Sequence, residues 1–227
     1  MENKKGTLYV IATPIGNLED ISLRALRILK EVDAVACEDT RRTLKLLNAY
    51  KIQKRLISYY QPKEGRKSPL ILALLKGGKD IALVSDSGTP GVSDPGFRLI
   101  REAVQEGMTV VPVPGASAVA AALSAAGLPT DRFLFLGFPP PKREATRKLL
   151  LSLKEERSTL VFYLPTRKIA EFLLLLEEAL GTRQVVIARE LTKIHEEFIR
   201  GEARELLTRI GEKKLKGEAT VLVQGRR

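Results

Sequence analysis

The chain is 227 residues long and 44% hydrophobic, with 38 lysines and arginines against 27 acidic residues and a formal net charge of +11. That length holds one large or two small domains with a sizeable core. No apolar run approaches the roughly 20 residues that span a bilayer, and the N-terminal Met1–Lys5 stretch has no apolar signal region. One cysteine, Cys37, excludes an internal disulfide framework and fits a reducing, cytoplasmic setting. With one histidine beside it, no metal site is expected. The positive field favours a polyanionic partner such as nucleic acid or an anionic membrane surface. A thermophilic surface rich in Lys, Arg and Glu is the plainer alternative. The basic residues are dispersed, which favours a folded basic surface over a disordered arm.

Strand-like runs and helical patterns alternate along the chain. The runs are Leu8–Ala12, Ala34–Cys37, Leu56–Tyr59, Ile81–Ser85, Val110–Val113, Phe133–Gly137, Leu160–Tyr163, Val185–Ala188, Glu197–Arg200 and Thr220–Val223. Between them, Leu23, Leu26, Leu29 and Val32 share one helical face behind Ser22, a fair N-cap. Gly107 terminates the helix after the fourth run, and Gly77–Asp80 reads as a helix-ending turn. Leu149, Leu150 and Leu153 form a second stripe, and Ile169, Phe172, Leu173, Leu176 and Leu180 a third. Such alternation predicts an α/β fold with mostly parallel sheets. The texture changes at Pro112–Gly115 and the small-residue segment Ala116–Ala126, which Gly127–Asp131 breaks. Two α/β domains are therefore expected, residues 1–114 and 115–227. Pro139–Pro141 is the strongest loop signal of the second half.

Ser85–Gly96 follows a strand and precedes an amphipathic helix, at the sheet edge where α/β proteins bind ligands. Its glycines permit tight turns and close approach of a ligand. Asp94 and Pro95 read as the N-cap and first residue of the helix. The dinucleotide and P-loop glycine patterns and the nucleophile elbow are all missing. Thr13–Leu18, after the first strand, is either a plain βα turn or a second wall of the same site. Glu38–Thr43 is either a capped helix start, with Asp39 or Thr40 as N-cap, or a base and phosphate clamps. Pro112–Ala118 combines tight packing with amides free to bind a polar ligand edge. Arg189–Glu197 packs charge at a strand end, and its His195 reads as a hydrogen-bonded structural residue before a catalyst. Cys37 reads as a buried strand residue, not a nucleophile.

Six blocks appear in a familiar order: Leu8–Asp20, Glu38–Arg41, Ser85–Gly96, Pro114–Ala118, Leu128–Phe133 and Ala188–Lys193. Together they resemble the tetrapyrrole-methylase-like (class III) methyltransferases, and within them the branch that acts on small-subunit ribosomal RNA. The resemblance implies two α/β domains of that type, with S-adenosylmethionine in the interdomain cleft and usually a homodimer. It implies 2′-O-methylation of a cytidine ribose in the decoding region of 16S rRNA, as rRNA or as the small ribosomal subunit, with no membrane partner. By similarity, Pro14, Asp86, Ser87, Gly88, Thr89, Val92, Ser117 and Ala118 lie around the cofactor, and Phe162, Tyr163, Ala188, Ala219 and Thr220 close over it. Thr89 stands where tetrapyrrole methylases carry Asp, and Ser87 where this branch usually has Ala. Where the branch has Tyr-Glu-Ser-Pro-His-Arg, this chain has Tyr163-Leu164-Pro165-Thr166-Arg167-Lys168, and its proline run 139–141 is richer than usual.

Methyl transfer to a ribose hydroxyl rests mainly on alignment, with a base assisting. Asp39, Glu38 and Glu190 are the candidate bases, and Asp86 belongs to cofactor contacts. Arg41, Arg42, Lys142, Arg143, Arg147, Lys148 and Lys193 are the candidate RNA phosphate contacts. The rivals are a methylase of small acidic tetrapyrroles and a basic RNA-binding module without chemistry.

Overall fold

The computed structural model describes residues 5–61, 64–211 and 216–226, so the first four residues of the Met1–Lys5 stretch lie outside the description. The chain divides into two compact units, Met1–Ser117 and Ala118–Arg227.

The first unit is built on β1 (Thr7–Ile11), β2 (Ala34–Cys37), β3 (Arg55–Ser58), β4 (Ile81–Val84) and β5 (Thr109–Val113). Its helices are α1 (Leu23–Glu31), α2 (Thr40–Ala49), α3 (Glu64–Lys76) and α4 (Phe97–Gln105). The sheet is wholly parallel, in the order β3-β2-β4-β1-β5. Every residue of β2 and β4 is buried, as unbroken apolar runs demand of strands covered on both faces. Alternate side chains divide the core. Leu8, Ala36, Ile57, Ile81 and Leu83 meet Ile71 and Leu75 of α3 and Leu99 and Ala103 of α4. Ile11, Val35, Cys37, Ala82 and Val84 meet Ala25, Ile28 and Leu29 of α1 and Leu47 of α2. The chain thus leaves the neighbouring strands β1 and β4 over opposite faces. Their loops part at the carboxyl edge, the switch point where open α/β sheets bind ligands.

Ser22 caps α1, its hydroxyl accepting the Ala25 N–H at 3.1 Å. The buried stripe of α1 runs through Ala25, Ile28, Leu29 and Val32, whereas Leu23 is 87% exposed. Gly107 closes α4 in a left-handed conformation, as expected. The start of α4 differs from expectation. Gly96 is the N-cap, with no side-chain cap, and Asp94 and Pro95 stay in the loop. A Cβ on Gly96 would lie 3.1 Å from Leu83 Cδ2, and its φ of 138° suits only glycine, so the chain turns into the helix two residues later.

The second unit carries β6 (Phe133–Gly137), β7 (Thr159–Pro165), β8 (Gln184–Arg189), β9 (Glu197–Glu202) and β10 (Glu218–Val223). Its helices are α5 (Ala118–Ala126), α6 (Arg143–Ser152), α7 (Ile169–Leu180) and α8 (Ala203–Gly211). The strand order is β6-β7-β10-β8-β9, and only β6 and β7 run parallel. This corrects the expectation of mostly parallel sheets. The link from β8 to β9, residues 190–196, is too short for the dozen or more residues that a parallel crossover needs, so the pair folds back as a hairpin. One face of the sheet packs Leu160, Phe162, Val185, Ile187, Val221 and Val223 against α6, α7 and α8. The stripes of α6 and α7 lie there as expected, with Leu150, Ile169, Leu173 and Leu176 fully buried. Helix α5 lies over β10 and β8. It starts three residues beyond Gly115 and stops at Gly127, so the alanine-rich segment is a packed helix.

Candidate active site

In the first unit the loops after β1, β2, β4 and β5 share one sheet edge. Thr13 and Gly88 pair as a short antiparallel bridge, with Thr13 N to Gly88 O at 2.8 Å and Gly88 N to Thr13 O at 3.0 Å. The buried Thr13 hydroxyl donates to Ser85 O, and the Ser85 hydroxyl lies 3.2 Å from Ser87 O and 3.3 Å from Gly88 O. Thr89 Oγ1 reaches Ala116 O at 3.5 Å, linking this loop to the one after β5. A Cβ on Gly115 would sit 3.1 Å from Ala12 Cβ, so only glycine lets the β5 loop lie this close to the end of β1. Thr13 is therefore tied to the loop after β4, which a plain turn would not require.

The loops after β2 and β4 hold each other reciprocally. Asp39 N donates to Asp86 Oδ1 at 3.0 Å, and Asp86 N donates to the Glu38 carboxylate. Arg42 lies 3.4 Å from the other Asp86 oxygen. Glu38, Asp86 and Asp94 thus gather three carboxyls in one place. Burial, and then the charges of Asp86 and Asp94, push the Glu38 carboxyl above its usual range. Burial raises Asp94 to about 6, against a lowering hydrogen bond from Ser85. Asp39 is the opposite case. It caps α2 through the Arg41 N–H at 2.8 Å, and the Arg41 guanidinium holds it at about 2. Cys37 is fully buried in β2, and that burial raises its thiol.

In the second unit, Glu190 takes a left-handed conformation at the end of β8. Burial raises its carboxyl, but the Glu218 N–H and the Lys193 ammonium outweigh that and leave it lowered. The residues expected around the cofactor divide by strand parity. Tyr163, Thr220 and Ala188 lie in one row across β7, β10 and β8. Phe162 and Ala219 point to the other face and are buried among the helices, Phe162 edge-on to Phe172 at 5.0 Å. Their side chains are core, so of these two residues only the backbone is left to face a ligand.

The basic residues expected at RNA are mostly paired with acids: Arg41 with Asp39, Arg42 with Asp86, Arg143 with Glu178, Arg147 with Glu144 and Lys193 with Glu190. The exposed pairs among them contribute little to stability. Lys142, the N-cap of α6, and Lys148 within it are exposed, and His195 is exposed beside Ile194, not packed as a structural histidine. The residue-based reading missed Thr192, a β-branched residue at φ 64° whose buried hydroxyl has no hydrogen-bond partner among the described residues. Its sequence signals were the dense charge around it and its place in the Ala188–Lys193 block.

Among the described residues no group of three His, Cys, Asp or Glu could hold a metal, and no helix is long and apolar enough to cross a membrane. The Asp86 carboxylate, 3.0 Å from the Asp39 N–H at the loop edge, suits a cationic group such as the ammonium or sulfonium of S-adenosylmethionine.

Comparison with known proteins agrees. Residues 7–207 match the family of tetrapyrrole (corrin/porphyrin) methylases. The chain is 46% identical over 97% of its length to a protein of Halalkalibacterium halodurans named ribosomal RNA small subunit methyltransferase I, covering 76% of it. It is 45% identical, again over 97% of its length, to the protein of that name from Thermotoga maritima, covering 99% of it. The solved structure of a cobalamin biosynthetic enzyme, cobalt precorrin-4 methyltransferase, superposes with a TM-score of 0.71 at 19% identity, over 96% of this chain and 94% of that one. The protein is thus a methyltransferase that uses S-adenosylmethionine, and it belongs to the tetrapyrrole methylase family, in the group of the small-subunit ribosomal RNA methyltransferases I.

Proposed function

We propose that the chain methylates small-subunit ribosomal RNA, at the 2′-oxygen of a cytidine ribose in the decoding region of 16S rRNA. What carries this reading is the near-full-length similarity to ribosomal RNA methyltransferases I, joined to a net charge of +11. A tetrapyrrole substrate would need no such field spread over the surface. Bound S-adenosylmethionine supplies an already reactive sulfonium methyl group. The residues of this chain supply position and a proton acceptor. Thr13, Ser85 and Gly88 stiffen the loop edge, and Asp86 holds the N-terminus of α2 against it.

The ribose oxygen takes the methyl group, and its proton passes to a carboxylate. Glu38 suits that task best, because burial and two neighbouring acids raise its proton affinity. Asp39 is held at about 2 by Arg41, and the Glu190 carboxylate already binds Lys193 and the Glu218 N–H. Arg41, Arg42, Lys142, Arg143, Arg147, Lys148 and Lys193 contribute phosphate contacts. The protein works in the cytoplasm, as a homodimer.

The test is transfer of labelled methyl from S-adenosylmethionine to unmodified small subunits, to free 16S rRNA and to a tetrapyrrole precursor. Label is expected on a single cytidine 2′-oxygen of the rRNA. Label on the tetrapyrrole alone overturns the reading.

A further inference from the structure

Two segments that set this chain apart in sequence, the proline run and Leu164–Lys168, come together in the second unit. Phe138 and Pro139–Pro141 form one wall of a pocket of about 240 Å³, and Leu164, Pro165, Arg167 and Lys168 form the other. Phe172 and Leu175 of α7 also line it. The volume lies below the about 300–1,000 Å³ of drug-sized sites, so it suits one base-sized ring. Phe138 is 61% exposed and touches Tyr163 edge-on at 5.5 Å, which leaves ring surface for stacking. The rim is cationic. Lys168 pairs with Glu171 at 2.7 Å and Arg143 with Glu178 at 3.5 Å, whereas Arg167 is exposed and forms no ion pair among the described residues. With Leu164 where the branch has Glu, the side chain at that position is apolar and buried. An apolar floor, an exposed aromatic ring and an uncommitted guanidinium are what a base and its phosphate require.

We propose that this pocket takes one nucleotide of the RNA strand, its base on Phe138 and the prolines and its phosphate on Arg167. The proposal rests on the RNA reading above. Its test is an NMR titration of the full chain with cytidine 5′-monophosphate, cytidine and inorganic phosphate as probes. The monophosphate is expected to shift the resonances of residues 138–141 and 164–168 well beyond either part alone. Phe138→Ala is expected to weaken binding of a single-stranded RNA about 10-fold, and Arg167→Gln to lower the salt slope of that binding by about one. Both side chains are exposed, so both variants should fold, as circular dichroism would show. Both should also raise KM for rRNA while leaving kcat and S-adenosylmethionine affinity unchanged. Unshifted pocket resonances, phosphate alone acting as strongly as the monophosphate, or variants that bind RNA like the parent would overturn the proposal. Failure of the rRNA reading itself shows separately, as absent methyl transfer by the parent chain, because the pocket shifts are read without turnover.

Discussion

At the scale of single residues, the carboxyls of the first unit differ chiefly in how burial and neighbouring charge bear on them. Asp94 titrates near 3.8 in an unfolded chain and at about 6 in the fold, because burial disfavours its charged form. The folded state holds that proton more tightly. The contribution of this group to stability is therefore full below about pH 4 and is lost as pH rises through about 6. Asp94→Asn keeps the shape and removes the charge, so its stability relative to the parent should grow between about pH 4 and 7 in urea unfolding. Equal pH slopes for the two proteins would contradict this. Glu38 and Asp39 are adjacent yet opposite. Glu38→Gln should lower single-turnover methylation about 10²- to 10⁴-fold with cofactor and RNA binding intact. Asp39→Asn should stay within a few-fold of the parent, since its carboxylate serves the α2 cap and Arg41. Similar losses in both variants would remove Glu38 from the role of base. The residue types of the Glu38–Thr43 block were legible in sequence. Which acid gains proton affinity was not, since that depends on burial and on Asp86 and Asp94, far along the chain.

At the scale of elements, local pattern carried far. Each of the ten expected strands forms within about two residues of its expected bounds, because apolar runs and turn residues are local signals. Ser22 was legible as a cap for the same reason. Ser22→Ala should cost about 1 kcal/mol, read as a lower urea midpoint at unchanged slope. An unchanged midpoint would mean that water replaces the hydroxyl at no loss. The start of α4 was misread because Asp-Pro is a strong capping signal. The close approach of Leu83 to Gly96 overrode it, and that contact joins residues from different elements. Strand parity decided the second unit in the same way. Tyr163 and Phe162 are neighbours in sequence, yet the pleat sends one to the row with Thr220 and Ala188 and the other into the core.

At the scale of the whole molecule, the net charge of +11 governs the encounter with RNA. If six to ten phosphates are contacted, affinity should fall about 10³- to 10⁵-fold between about 50 and 200 mM salt. A flat salt response would remove the basic surface from the RNA reading. The amino-acid sequence alone determined the number and kind of elements, the glycine-bearing loop and the charge, and its blocks sufficed to indicate the family. Only the tertiary structure decided the strand order β3-β2-β4-β1-β5, and with it which loops meet. It brought Glu38 to Asp86 and Asp94, and the proline run to Leu164–Lys168. The physical reason is that periodicity and turn chemistry act over a few residues. Burial, charge coupling and pocket shape arise between segments that only the completed sheets bring together.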